Sequence, residues 1–336
     1  MKYYKLLIGL FLIQSLSYSC LKDDKVSLQK NYKYEHFSSN LNDGVNCVFF
    51  IDNKIGFVSN SGKIFKTVDS GISWQGDSIT DLPINSIYFV NNNIGFAVGG
   101  DDQSDTCSFV FKTTNSGVSW IKKNLPKNNS NLYSVFFINE NVGFAVGLGN
   151  IKTSDGGENW QQFEFEDKGL IEKIFFVDSQ TGFAMGIHGL IFKTTDEGNN
   201  WKKISTDSDG NIYDFCFIDK NTGYAGGQKK MIKTTDSGNT WSILANSPGN
   251  IYFIHFADAN NGIAIGYGHY TGGDWGTFTN AIYFTRDGGN IWGTEDNINF
   301  GAKAYFPSST IGYSIVLNST YKITFISDGL LNNRMR

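Results

Sequence analysis

The chain has 336 residues, a net charge of −4, and only three arginines, Arg286, Arg334 and Arg336. A nucleic-acid binder carries a basic stripe, and none is present. Aromatic content of 15% against 18% charged residues, with four prolines, fits a large β-rich domain.

The chain opens with a targeting segment. Lys2 and Lys5 precede an apolar run, Leu6 to Leu16, too short to span a bilayer and placed where a secretory signal sits. Ser17-Tyr18-Ser19-Cys20 follows and resembles a bacterial lipoprotein processing site, with Ser17 standing where leucine is usual. On this reading residues 1–19 are a signal peptide, Cys20 is lipidated, and residues 20–30 form a tether. Leu21-Lys22-Asp23-Asp24 resembles the signal that sends some Gram-negative lipoproteins to the cell surface, and a periplasm-facing position is the alternative. Three cysteines then remain, Cys47, Cys107 and Cys216, and an odd number argues against a disulfide framework. Cys47 and Cys216 lie in apolar runs as small buried hydrophobes, with no adjacent base to make either a nucleophile.

From residue 31 to 330 one turn recurs six times, Thr-x-Asp-x-Gly-x-x-Trp. Its Asp and Trp positions are Asp69/Trp74, Asn115/Trp120, Asp155/Trp160, Asp196/Trp201, Asp236/Trp241 and Asp287/Trp292. A short acidic side chain bonds backbone N–H groups, glycine tolerates positive φ, and each Trp is expected to bury a large apolar surface. Asn115 keeps the acceptor and loses the charge, which a turn tolerates and a general acid does not. These residues are therefore structural.

A second pattern recurs seven times, Phe, five residues, Gly, ending at Gly56, Gly95, Gly143, Gly182, Gly223, Gly262 and Gly312, a period of about 40. Within each unit short apolar runs alternate with Gly, Asn and Asp turns, four strands per unit. Four strands repeated seven times without helical periodicity predict an all-β, seven-bladed propeller. The seventh unit has three strands, near Lys303–Phe306, Gly312–Leu317 and Tyr321–Ile326, and no box Trp. Residues 31–37, which precede unit one, are predicted to supply its outer strand and close the ring. Residues 331–336 are a tail.

The turn resembles the Asp-box, or bacterial neuraminidase repeat. The longer pattern, Ile138 to Gly147 followed by Lys152 to Trp160, resembles the photosystem II stability and assembly factor family. That resemblance implies a seven-bladed, non-enzymatic scaffold that binds other proteins. The Asp-box resemblance implies that the Trp turns lie on the face away from the ligand site. The working face then carries the loops between strands two and three and between blades.

Two of these loops are long. Blade two inserts Asp101 to Cys107, including Asp102, and blade six inserts Tyr267 to Gly276, with His269, Tyr270, Asp274 and Trp275. Aromatic side chains on a loop anchor protein partners or stack on sugars. His188, in the short loop Ile187-His188-Gly189, is placed to line the central opening. His255 stands where other units have Phe49, Tyr88, Phe136, Phe175 and Cys216, and reads as a core residue. No His-Glu-x-x-His motif or cysteine pair suggests a metal, and no cofactor is expected.

A sialidase needs several arginines for its acidic sugar, and this chain lacks them. Another glycosidase needs two facing carboxylates. Candidates on the predicted face are Asp101, Asp102, Glu166, Asp167, Asp207, Asp209, Asp274, Glu295 and Asp296. The expectation is a monomeric outer-membrane lipoprotein whose propeller binds an envelope or extracellular protein, or a glycan. Its alternative is a glycoside hydrolase acting on an extracellular polysaccharide.

Overall fold

The computed structural model describes residues 30–41, 44–102, 108–126, 130–270, 278–295, 301, 303–316 and 318–326, without the side chains of 268–270, 278 and 279. The leader and Cys20 lie outside the described residues. Seven four-stranded antiparallel sheets are arranged as blades. Blade three runs Leu132–Phe137, Gly143–Gly147, Ile151–Thr153 and Gln161–Gln162.

Burial falls from the second strand outwards. Second strands such as Gly143–Gly147 and Gly182–Gly186 are buried at every position, because both faces lie against neighbouring blades. Fourth strands such as Gln75–Ser78 and Gln161–Gln162 are exposed throughout, so nothing selects apolar residues in them.

The Phe-x5-Gly spacing has a steric cause. Phe137 and Gly143 face each other across the first hairpin, and a Cβ on Gly143 would sit 2.5 Å from the Phe137 ring. The same ring covers the same glycine in all seven blades, with a Cβ at 2.4 to 2.7 Å. These rings also build blade interfaces. Phe96 of blade two stacks on Phe137 of blade three at 3.8 Å, and Trp160 meets Phe137 edge-on at 5.9 Å. Tyr313, Phe50 and Trp74 repeat the arrangement where blade seven meets blade one, at 4.0 and 6.1 Å.

The boxes bind their own backbone. Thr153 Oγ1 donates to Asp155 Oδ1 at 2.8 Å and accepts from the Gly157 N–H at 3.0 Å. Asp155 also accepts the Asn159 N–H and side-chain amide at 2.9 and 2.8 Å. Asp69, Asp196 and Asp287 likewise accept the N–H groups of Ser73, Asn200 and Ile291, each at 2.9 Å. Gly157 has φ 79°, and a Cβ there would fall 2.5 Å from Phe96 of the preceding blade. In the second box Asn115 accepts the same N–H from Ser119, and its own amide donates to Ser119 Oγ at 2.9 Å. The uncharged copy therefore makes the same turn.

The expectation that every box Trp is buried needs correction. Trp74, Trp160 and Trp241 are buried, whereas Trp120, Trp201 and Trp292 are only half-buried. Each box delivers its ring beside an exposed fourth strand, so the inner edge of the ring is always covered and the outer edge is covered only in some blades. The inner contact is constant: Trp120 meets Phe89 at 5.8 Å, Trp201 meets Phe176 at 5.8 Å, Trp241 meets Phe217 at 5.9 Å, and Trp292 meets Phe256 at 6.1 Å, all edge-on. The indole N–H is less uniform. Trp74, Trp160, Trp201 and Trp292 donate to the carbonyl of the box glycine at 2.9 to 3.2 Å. Trp241 Nε1 is buried without a hydrogen-bond partner among the described residues.

The box hydrogen bonds hold the Asp155 carboxyl down at about 2, chiefly through the Asn159 N–H, and Asp236 at about 2, chiefly through the Thr240 hydroxyl. A folded pKa below the unfolded one means stability that is present above the ordinary value of 3.8 and lost as pH falls towards 2. Asp155→Asn therefore should narrow its stability difference from the parent as pH drops from about 4 to 2, read from urea titrations at stepped pH. A gap independent of pH would refute the box as the source.

Blade seven closes as its missing strand requires. Its strands are Ala304–Tyr305, Ile311–Val316 and Ser319–Phe325, and Tyr32–Ser38 pairs antiparallel with the last of them. The outermost strand of the last blade is thus the first of the described strands.

Candidate functional site

First strands surround a central cavity of about 880 Å³. Because strands alternate in direction, the loops after second and fourth strands share one face, the mouth. The Trp boxes and first hairpins share the other.

Five consecutive first strands carry a β-bulge at the mouth end. In blades two to six the register slips between Ile84 and Ser86, Leu132 and Ser134, Ile171 and Lys173, Ile212 and Asp214, and Ile251 and Phe253. The extra residues are Asn85, Tyr133, Glu172, Tyr213 and Tyr252, and all five line the cavity. A bulge re-aims a side chain, which is why these polar groups enter the opening.

Below them a second layer binds the blades together. The first strand is the inner edge of its sheet, so some of its N–H groups lack a strand partner. The preceding blade supplies one: Cys47 Sγ accepts from Ile87 at 3.3 Å, Ser86 Oγ from Val135 at 3.3 Å, and Ser134 Oγ from Ile174 at 3.3 Å. Asp214 does the same for Ile254 at 2.9 Å and pairs with Lys173. The deepest layer is aromatic. Phe49, Tyr88, Phe136 and Phe175 meet in sequence at 5.7, 4.8 and 5.4 Å.

His255 belongs to this deepest layer. It is half-buried and stacks on Phe306 at 3.9 Å, while its Nε2 lies 2.9 Å from the Ser309 carbonyl. Burial lowers its pKa to about 4, so it is neutral at neutral pH. Cys47 and Cys216 are half-buried free thiols rather than fully buried, and burial pushes Cys216 up to about 11. Neither thiol is activated.

At the rim, Asp102 Oδ1 accepts from Tyr133 and from the Asn131 amide, each at 2.7 Å, and Asp101 is half-buried beside it. Burial, then Asp102, raises the Tyr133 phenol above its ordinary range. Tyr267 reaches the mouth from blade six, meets Tyr252 at 4.8 Å, and remains 42% exposed. Burial raises the Glu172 carboxyl, Lys303 opposes that shift, and Asp102 adds to it.

Several expected positions differ. Tyr267 to Tyr270 continue the second strand, Gly262–Tyr270, rather than forming a loop, because the hairpin extends to pair Tyr270 with Phe278. Asp274 and Trp275 lie outside the described residues, as does Cys107, and nothing is described of the His269 and Tyr270 side chains. His188 is not among the residues that line the cavity: it is exposed, at φ 54°, in the short turn Ile187–Gly189. Glu295 ends the outer, fourth strand of blade six, is not among the residues that line the cavity, and accepts from Tyr32 at 2.7 Å. Asp167 pairs with Lys203 at 2.6 Å and Asp209 with Lys229 at 3.6 Å. None of the box tryptophans, Trp74, Trp120, Trp160, Trp201, Trp241 or Trp292, lines the cavity. Among the described residues no group of three His, Cys, Asp or Glu side chains is placed to hold a metal.

Residues 112–213 and 150–245 match the family model of the photosynthesis system II assembly factor YCF48. The fold is similar to YCF48 bound to D1 peptide, at 18% identity and TM-score 0.68, covering 90% of this chain and 99% of that one. It is also similar to YCF48 from Cyanidioschyzon merolae, at 16% identity and TM-score 0.68 over 87% and 98% of the two chains. The GH74 xyloglucanase from Xanthomonas campestris is similar at 11% identity and TM-score 0.68, over 88% of this chain and 54% of the enzyme. A comparison with curated protein sequences finds no match. The resemblance read from the repeats therefore extends to the whole propeller as a resemblance of fold.

Proposed function

We propose that this propeller is a non-enzymatic scaffold whose mouth binds a polypeptide partner, and that a lipid on Cys20 tethers it at the cell envelope. The observation that carries the binding reading is the ring of bulges. Five blades each depart from regular pairing at the same point and turn Asn85, Tyr133, Glu172, Tyr213 and Tyr252 inwards. Tyr-rich concave surfaces with scattered amides suit an extended peptide, because each phenol offers apolar area and a hydrogen bond together. YCF48, of the same fold, is known bound to a D1 peptide. The leader supports the tether, as Cys20 follows small residues at the end of a short apolar run.

The test is capture of partners from envelope extracts. The double variant Tyr213→Ala/Tyr252→Ala should lose the proteins retained by the parent, whereas Val118→Asp, at an exposed position on the box face, should keep them. The reverse pattern would overturn the reading. A second reading, polysaccharide hydrolysis, asks for two carboxylates facing across a sugar. Among the described lining residues the carboxylates are Glu172 and Asp214, and Asp214 already holds Lys173 and the Ile254 N–H. Sugar release that disappears in Glu172→Gln would replace the scaffold reading with this one.

A further inference from the structure

The ring of bulges has one acid in it. Glu172 of blade four stands between Tyr133 of blade three and Tyr213 of blade five, all at the same level of the mouth. Neighbouring acids are satisfied within the chain: Asp102 by Tyr133 and Asn131, Asp214 by Lys173 and the Ile254 N–H. Glu172 is half-buried and makes no hydrogen bond or ion pair with a described residue. A carboxylate partly withdrawn from water without a partner is unfavourable, and a cation brought by a ligand relieves that cost. Flanking phenols add attraction, since an ammonium or guanidinium is drawn to an aromatic face.

We propose that Glu172, flanked by Tyr133 and Tyr213, is the receptor for a basic side chain, lysine or arginine, of the bound polypeptide. This rests on the reading of the mouth as a peptide site. Asp102, through Tyr133, adds negative charge on the blade-three side. Lys303 also lines the cavity and opposes the upward shift that burial gives the Glu172 carboxyl, without bonding to it. A basic residue followed by an acidic or carboxy-terminal group would meet both charges.

The experiment is a random dodecapeptide phage library panned on the full-length chain in detergent, in parallel with Glu172→Gln. The parent should enrich peptides with Lys or Arg at one aligned position. The synthetic form of the strongest binder should then bind Glu172→Gln roughly tenfold or more weakly. Replacing its basic residue by norleucine should cost the parent a similar factor and cost Glu172→Gln little, which also keeps the test valid should the protein variant fold poorly. Peptides that lose binding on Tyr213→Ala/Tyr252→Ala but lack the basic position, or bind Glu172→Gln unchanged, overturn this proposal and leave the peptide site standing. Peptides indifferent to that double variant overturn both.

Discussion

Deleting residues 30–40 is expected to abolish the cooperative unfolding transition of the propeller. This segment does more than cover an edge. Tyr32 is 2% exposed, meets Phe284 of blade six at 5.7 Å, and donates to Glu295 at 2.7 Å. Asn31 donates to Asn261 and to the Thr285 carbonyl, again in blade six, at 2.9 and 2.8 Å. Asn40 exchanges hydrogen bonds with the backbone of Trp74 in blade one, at 2.8 and 3.0 Å. One strand thus fastens the blades on both sides of the seam. Loss of a buried aromatic side chain alone costs about 3–5 kcal/mol. Folded domains exceed their unfolded states by only about 5–15 kcal/mol. The deletion also leaves Ser319–Phe325 as an open edge that can pair with another molecule. Circular dichroism during heating would register a broad or absent transition, and an unchanged melting curve would refute the closure.

Phe137→Ala should destabilise the protein by about 3–5 kcal/mol, far more than substitution of any exposed box residue. Three contacts converge on that ring: it covers Gly143, stacks on Phe96 of the preceding blade, and carries the edge of Trp160. Removing it leaves a cavity between two blades that rigid sheets cannot collapse to fill. Urea denaturation would measure the loss. A cost below about 1 kcal/mol, typical of half-exposed sites, would mean that the blade interface is not built on this ring.

The box and the closure are legible in the sequence because both are local or subtractive. Thr153, Asp155 and Gly157 bond within five residues, so the turn can be read without its surroundings. How deeply a box ring is buried is a different matter, since the outer cover of Trp120, Trp201 and Trp292 depends on neighbours that the repeat does not specify. Residues 31–37 declare themselves as a strand without a sheet in a chain whose last unit lacks one. The Phe-x5-Gly spacing is visible as a repeat, but its cause, a ring lying over a glycine across a hairpin, requires the pairing register.

The mouth is hidden for a definite reason. Regular strands place apolar residues two apart, yet Ile171 and Ile174, Ile212 and Phe215, and Ile251 and Ile254 are three apart. That spacing announces an inserted residue, and the inserted residues are the ones that line the opening. Long loops, where function is common, stand out in the chain, while here the repeated strand carries the variable groups. His188 reads as lining the opening from its loop alone. The structure leaves it exposed and outside the cavity lining, in a left-handed backbone conformation that no pattern of neighbours announces.

Amide hydrogen exchange of the captured complex tests most directly where this protein meets its partner. Partner binding should slow exchange at the bulged segments 132–134, 171–173, 212–214 and 251–253, with the box turns at 113–120 and 153–160 unchanged. Protection confined to the box turns, with the bulges exchanging as in the free protein, would contradict a binding site at the mouth.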